Sequence, residues 1–292
     1  MSAPPASSPT LTVRQRELRP QDWFVEVTAA SGVDFAYHNG REGQKFTLLE
    51  SVGGGAAIFD FDNDDLSDLF ITGGGTIQGS PMVISGLPGV FYRNLGHAHF
   101  IDVANRAGIG GASFYTVGCS ACDFNCDGLS DLFLTGYPDC RLYCNQGDGT
   151  FLNVTKSAEL FLDGLHTAST WGDFDNDGDP DLLVVHQNAP VSILNNSLPH
   201  ANWVRLCLRG TKSDPFAVCA VVTAKFAGRN LVRHIRSGSG YLSHFDRRVL
   251  LPVDSDVHAE CSVQWLHGKR EIFRNLHPNQ TNQLIEGRGE AL

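Results

Sequence analysis

The decapeptide DFDNDGDPDL, Asp173–Leu182, has two counterparts earlier in the chain: DFDNDDLSDL at Asp60–Leu69 and DFNCDGLSDL at Asp123–Leu132. In each copy oxygen-bearing side chains fall at positions 1, 3, 5 and 9, and the position-7 carbonyl is left free to turn inward. A tight loop built this way gathers the six or more oxygens that a Ca²⁺ ion takes. An EF-hand closes a similar loop with a bidentate Glu at position 12, between two helices. Here position 12 is Ile71, Leu134 or Val184, and the apolar runs LFITGG, LFLTGY and LLVVHQ follow the last aspartate. Runs rich in β-branched and aromatic residues predict strands, so the loops read as strand–loop–strand sites.

Differences among the copies rank them. The third has four carboxylates, Asp173, Asp175, Asp177 and Asp181, and puts Gly178 at the sharp turn, where glycine takes a positive φ without strain. The first has Asp60, Asp62, Asp64 and Asp68 but places Asp65 at that turn. The second keeps Gly128 and replaces one carboxylate by Asn125, leaving Asp123, Asp127 and Asp131. The third loop is expected to bind best. Asp-rich segments also form turns for their own hydrogen-bonding reasons, and that alternative weighs most for the second loop.

The repeat is longer than the loop. VFYRNLGHAHFIDVANRAGI from Val90 aligns with RLYCNQGDGTFLNVTKSAEL from Arg141 as strand, Gly-containing turn, aromatic strand start and helix-like exit. DWFVEVTAASGVDFAYHNG before the first loop repeats the end of this pattern, and VSILNNSLPHANW after the third repeats its beginning. Loop spacings of 63 and 50 residues (60 to 123, 123 to 173) give units of about four short strands, the signature of propeller blades. From Trp203 onward the loops stop, and WVRLCLRG, AVVTAKFAG, LVRHIRSG, ECSVQWLHG and QLIEG predict strands separated by Gly-containing turns, a small sandwich or barrel.

Over residues 24–200 this pattern resembles the FG-GAP/VCBS repeats, which build β-propellers in integrin α-subunits and extracellular bacterial proteins. The resemblance implies calcium ligands at Asp60, Asp62, Asp64, Leu66 (carbonyl) and Asp68; at Asp123, Asn125, Asp127, Leu129 (carbonyl) and Asp131; and at Asp173, Asp175, Asp177, Asp179 (carbonyl) and Asp181. RSGSGYLS (236–243), VQWLHG (263–268) and NLHPNQTNQLIE (275–286) resemble the ASPIC/UnbV domain, which follows FG-GAP repeats in the cartilage acidic protein type of architecture. The chain departs from that domain's pattern at SDPFAVCA and WLHG. The expected organisation is a disordered leader at 1–22, FG-GAP repeats at 23–202, an ASPIC/UnbV-like domain at 203–287 and a tail at 288–292. The expected fold is all-β, a partial or small propeller followed by a small antiparallel sandwich or barrel.

Closed propellers need at least four blades, and an arc of three leaves edge strands bare. Three arrangements answer that. The pieces Trp23–Tyr37 and Val191–Trp203 combine into a fourth blade, the C-terminal domain caps an end, or the chain self-associates; a monomer is favoured.

Net charge is −10 in 292 residues, and the eleven aspartates at positions 1, 3, 5 and 9 of the three loops exceed that excess; three Ca²⁺ ions would bring −10 to −4. With no basic run, nucleic acid is not an expected partner. No apolar stretch is long enough for a membrane span. The N-terminus MSAPPASSPTLTVRQRELRPQDW lacks the apolar core of a signal peptide, whereas the resemblance implies an extracellular or cell-envelope protein, and weak calcium loops fill where calcium is millimolar.

Cys119, Cys122 and Cys126 have a metal-like spacing, but Cys126 sits inside the second loop at a position expected to point outward. The odd spacing of the other two puts them on opposite strand faces. Disulfides among the eight cysteines cannot be paired from sequence. His97 and His99 fall in a hairpin turn. His234 and His244 flank Ser237, Ser239, Tyr241 and Ser243, without a G-x-S-x-G elbow. Glycines 53–55 and 73–75 match no phosphate-binding spacing. The function expected is a non-enzymatic, calcium-stabilised recognition or adhesion protein with a protein or glycan ligand and no catalytic residue. The alternative is an accessory or catalytic protein in secondary metabolism or polysaccharide processing.

Overall fold

The computed structural model describes residues 23–111, 114–199, 202–238, 243–253 and 259–292. The leader at 1–22, with Ser239 and Tyr241, lies outside them. Apart from one helical turn at Thr28–Ser31 and two 3-10 turns, the regular structure described is β.

The first repeat unit is an antiparallel sheet of Ala56–Phe59, Asp68–Ile71, Val90–Asn94 and Phe100–Asp102, in that order. The second repeats it with Tyr115–Cys122, Asp131–Tyr137, Arg141–Asn145 and Phe151–Asn153. The third has three strands, His166–Gly172, Asp181–His186 and Ser192–Leu194. Each decapeptide joins the first strand to the second, so topology alone places all three loops at the same end of their units. The first strands of the units lie side by side. They are tied by Gly55 N–H donating to the Val117 carbonyl (2.7 Å) and by Trp171 Nε1 donating to Ser120 Oγ (3.0 Å).

Aromatic residues fill the seams between units. Phe59, Phe61 and Phe70 of the first unit and Phe151 of the second surround Phe91, which is fully buried, with ring centroids 4.7–6.1 Å from it (Phe61 and Phe70 respectively). Each such ring contributes about 2–3 kcal/mol by leaving water. Phe133 and Trp171 do the same between the second and third units. Cys119 joins the first of these clusters and Cys122 packs against the second, as opposite faces of one strand require. All eight cysteines are free thiols.

The C-terminal domain packs a three-stranded sheet against a five-stranded one. The first has the order Val249–Pro252, Trp203–Arg209, Thr281–Ile285; the second, Arg229–His234, Val221–Phe226, Ala259–Gln264, Arg270–Leu276, Glu290–Ala291. Leu206, Val222, Val263 and Trp265, all fully buried, form the core between them. Two details correct the expectation. Trp203–Arg209 and Thr281–Ile285 run parallel, because the chain reaches the second of them by crossing from the other sheet. Residues 288–292 are not a free tail: Glu290–Ala291 pairs with Glu271–Ile272 as an edge strand.

No fourth repeat unit occurs among the described residues. Ser192–Leu194 completes the third unit, Trp203 opens the C-terminal domain, and the only strand near Trp23–Tyr37, His38–Asn39, joins Gly74–Gln78 and Val83–Gly86 in a small inserted sheet. The open side of His166–Gly172 is covered instead by the C-terminal domain. Ser243 Oγ donates to the Ser169 carbonyl (2.7 Å), Thr170 Oγ1 to the His244 carbonyl (2.8 Å), and Phe245 packs on the cluster that holds Trp171.

Candidate metal centres at the repeat loops

Every loop is folded by its own aspartates. The position-1 carboxylate accepts backbone N–H groups across the turn: Asp60 from Asp64 (3.1 Å) and Asp65 (3.0 Å), Asp123 from Asp127 (3.0 Å) and Gly128 (2.9 Å), Asp173 from Gly178 (3.0 Å). The position-5 carboxylate accepts the N–H of position 7: Leu66 (2.9 Å), Leu129 (2.8 Å) and Asp179 (3.0 Å). Position 6 has a positive φ in all three, 72° at Asp65, 89° at Gly128 and 105° at Gly178, as the turn was expected to demand. Position 4 also has one, at Asn63, Cys126 and Asn176.

Positions 1, 3 and 5 converge. Carboxylate oxygens of Asp60, Asp62 and Asp64 lie within 4.8 Å of one another, and those of Asp173, Asp175 and Asp177 do the same. In the second loop Asn125 stands at position 3 and turns its amide toward Asp127 (2.9 Å). Position 9 is arranged differently. Asp68, Asp131 and Asp181 are buried, and both oxygens of each accept backbone N–H groups. One donor is the position-2 phenylalanine (Phe61, Phe124, Phe174) and the other an asparagine of the following hairpin (Asn94, Asn145, Asn196), at 2.7–3.1 Å (Phe174 to Asp181, Phe124 to Asp131). Those aspartates fasten the hairpin to the loop.

Burial dominates the electrostatics. It pushes the Asp60 and Asp123 carboxyls up to about 6 and Asp68 to about 7, and raises Asp131 well above the carboxylate range, with neighbouring aspartates adding to the effect. Asp62 is raised by burial and by Asp64. Asp62 Oδ1 and Asp173 Oδ1 are shielded from solvent and have no hydrogen-bond partner. An all-oxygen donor set with buried oxygens left over fits a hard divalent cation, whose charge would hold these groups ionised.

Several residues around the loops were missed in the sequence. The residue before the hairpin asparagine faces position 3: Arg93 pairs with Asp62 (2.7 Å) and Asp64 (3.1 Å), Cys144 meets Asn125, and Asn195 donates to Asp175 (2.6 Å). The asparagines themselves stitch unit to unit, Asn145 to the Phe61 carbonyl (2.8 Å) and Asn196 to the Phe124 carbonyl (2.7 Å). Their signal was the recurring Asn of YRN, YCN and LNN. Cys126 does not point outward; it is buried against the Gly178 carbonyl of the next loop, and the half-buried Asn63 donates to that of Gly128 (3.3 Å). Arg205, Arg233 and Arg236 arrive from the C-terminal domain and carried no local signal.

Other candidate clusters do not assemble. His97 and His99 are exposed in their hairpin turn. Ser243 spends its hydroxyl on a backbone carbonyl, and His244 Nδ1 lies against the Phe245 carbonyl. No cysteine joins a metal-capable group among the described residues, and no helix there is long and apolar enough to cross a membrane.

A family model described as an FG-GAP-like repeat matches residues 123–184, and one described as ASPIC and UnbV matches 210–291. Cartilage acidic protein 1 of Homo sapiens is 26% identical over 281 residues, which cover 90% of this chain and 38% of that protein. The Mus musculus and Xenopus tropicalis proteins of the same name are also 26% identical, over 90% of this chain and 39% of theirs. The chain thus spans about two fifths of the length of the curated relatives it matches. It carries an FG-GAP-like repeat followed by an ASPIC and UnbV domain, and is homologous to cartilage acidic protein 1 over nine tenths of its length.

Proposed function

We propose that each loop holds a Ca²⁺ ion through the side chains at positions 1, 3, 5 and 9 and the carbonyl at position 7, and that the chain is a calcium-stabilised recognition or adhesion protein rather than an enzyme. Asp173 carries this reading: its Oδ1 is buried and unpartnered, and its carboxylate converges with those of Asp175 and Asp177. A buried anionic oxygen without a donor is costly, and a cation removes that cost. Calcium is favoured over Mg²⁺ because on this reading a single loop would supply five protein oxygens, whereas Mg²⁺ keeps most of its waters. Relatives named for cartilage, an extracellular tissue, support a site of action where calcium is millimolar. The calcium fixes the loop end of the repeats, and a protein or glycan ligand would then meet a rigid surface.

Calorimetric titration of Ca²⁺ into the chelator-stripped chain should give dissociation constants of about 10⁻⁵–10⁻³ M, with Asp177→Ala removing the tightest. Absence of both heat and any rise in melting temperature in the unmutated chain would end the proposal.

A further inference from the structure

The three loops share one more feature, and it comes from outside the repeats. Arg205 ion-pairs with Asp173 Oδ2, and its other nitrogen donates to Asn176 Oδ1 (3.0 Å). Arg233 donates to Asp123 Oδ2 (3.0 Å) and the Gly128 carbonyl (3.3 Å). Arg236 binds the Ile58 carbonyl, just before the first loop, and Ser67 Oγ near its end, with Asp60 as its opposing charge. One guanidinium therefore stands behind each loop, all three supplied by the C-terminal domain. The three arginines and the three position-1 aspartates line one cleft of about 230 Å³ along the seam between the domains.

The arginines are placed behind the loops, not in them. Asp173 offers Oδ2 to Arg205 and to the Gly178 N–H, leaving the buried Oδ1 unpartnered. Asp123 likewise gives Oδ2 to Arg233 and Gly128. The C-terminal domain is also fitted to the turn: a Cβ at Gly178 would strike the Trp203 ring, and one at Gly128 would strike Leu231. Charge is only partly balanced: the five aspartates of the first loop, Asp65 included, face Arg93 and Arg236, the three of the second face Arg233, and the five of the third, Asp179 included, face Arg205, so each loop keeps a net negative charge for a cation to meet.

Resting on the calcium reading above, we infer that Arg205, Arg233 and Arg236 are positioning residues of the three metal centres, so that the C-terminal domain is a working part of each. A bidentate or bridging guanidinium fixes the orientation of a carboxylate, and partners behind metal ligands are worth about 10–100-fold in metal affinity. The experiment is calcium calorimetry on the full chain, comparing the unmutated protein with Arg205→Gln, Arg233→Gln and Arg236→Gln, each checked by near-ultraviolet circular dichroism in saturating calcium. Each variant should weaken one site by about 10–100-fold and leave the others unchanged. In Asp177→Ala, which lacks the third site, Arg205→Gln should have no further effect on calcium affinity. Should Arg205→Gln fail to fold, Asn176→Ala leaves the buried ion pair intact and should still weaken the third site several-fold. If the unmutated chain binds calcium and the arginine variants bind equally well or more tightly, the inference falls while the calcium reading stands. If the unmutated chain binds none, both fall.

Discussion

Buried carboxylates are handled in opposite ways in the two halves of this protein. In the C-terminal domain, Glu286 Oε2 accepts the N–H groups of Thr211 (2.8 Å), Lys212 (2.7 Å) and Ser213 (2.8 Å), and Oε1 accepts Ser213 Oγ (3.0 Å). Burial alone would raise its carboxyl, but the donors of Ser213, Lys212 and Thr211 hold it at about 2. Asp60 and Asp123 also accept two backbone N–H groups each, yet burial leaves them at about 6. A cup of N–H donors satisfies one carboxylate. It cannot satisfy three or four that converge, because each added anion raises the field on the others while the turn supplies no further donor. The repeats hold acidic clusters that a cation would settle, whereas Glu286 of the C-terminal domain is already settled by its own donors.

The largest test of this contrast is chelation. Three sites, each at about 100 times its dissociation constant, would together contribute roughly 8 kcal/mol, so chelator should lower the melting temperature of the full chain by many degrees. Residues 202–292 expressed alone, with a core drawn wholly from that segment, should melt at a temperature indifferent to chelator. A chelator-sensitive fragment would break the comparison. The pH dependence sharpens it. Without metal, Asp60, Asp123 and Asp68 hold protons in the folded state up to pH 6–7 that the unfolded chain releases near 4. The folded state then binds more protons, so stability falls as pH rises from about 4 to 7. With saturating calcium the metal replaces those protons and the decline should vanish. Melting temperatures in chelator that climb across this window would contradict it.

Next in size is Asp131→Ala, which strands the buried N–H groups of Phe124 and Asn145 and should cost about 2–5 kcal/mol, in chelator as well as in calcium. Glu286→Ala frees three N–H groups nearer the surface and should cost roughly 2 kcal/mol, without altering calcium affinity. Denaturant unfolding of both variants checks each figure, and a change in calcium affinity for Glu286→Ala would show that the two halves are not independent in this respect. Smallest is Asp65→Gly. Relief of a φ of 72° at a non-glycine residue should stabilise the first loop by about 0.5–1 kcal/mol, read as a modest rise in melting temperature, and a fall would mean the Asp65 side chain has another use.

What the chain alone determined is local and periodic. The aspartate spacing within ten residues, the strand on either side, the positive φ at position 6 and the repetition of units all follow from contacts between residues close in sequence, and all were legible. The parallel pairing of Thr281–Ile285, the edge strand at 290–291 and the inward turn of Cys126 were not, because each is set by a neighbour 18 or more residues away. The same holds for the arginines. Nothing local marks Arg205 or Arg233 in their strands, or Arg236 two residues beyond the end of its own. They lie 32, 110 and 176 positions from Asp173, Asp123 and Asp60 respectively, and only the packing of one domain over the loop ends of the other gives them carboxylates to face.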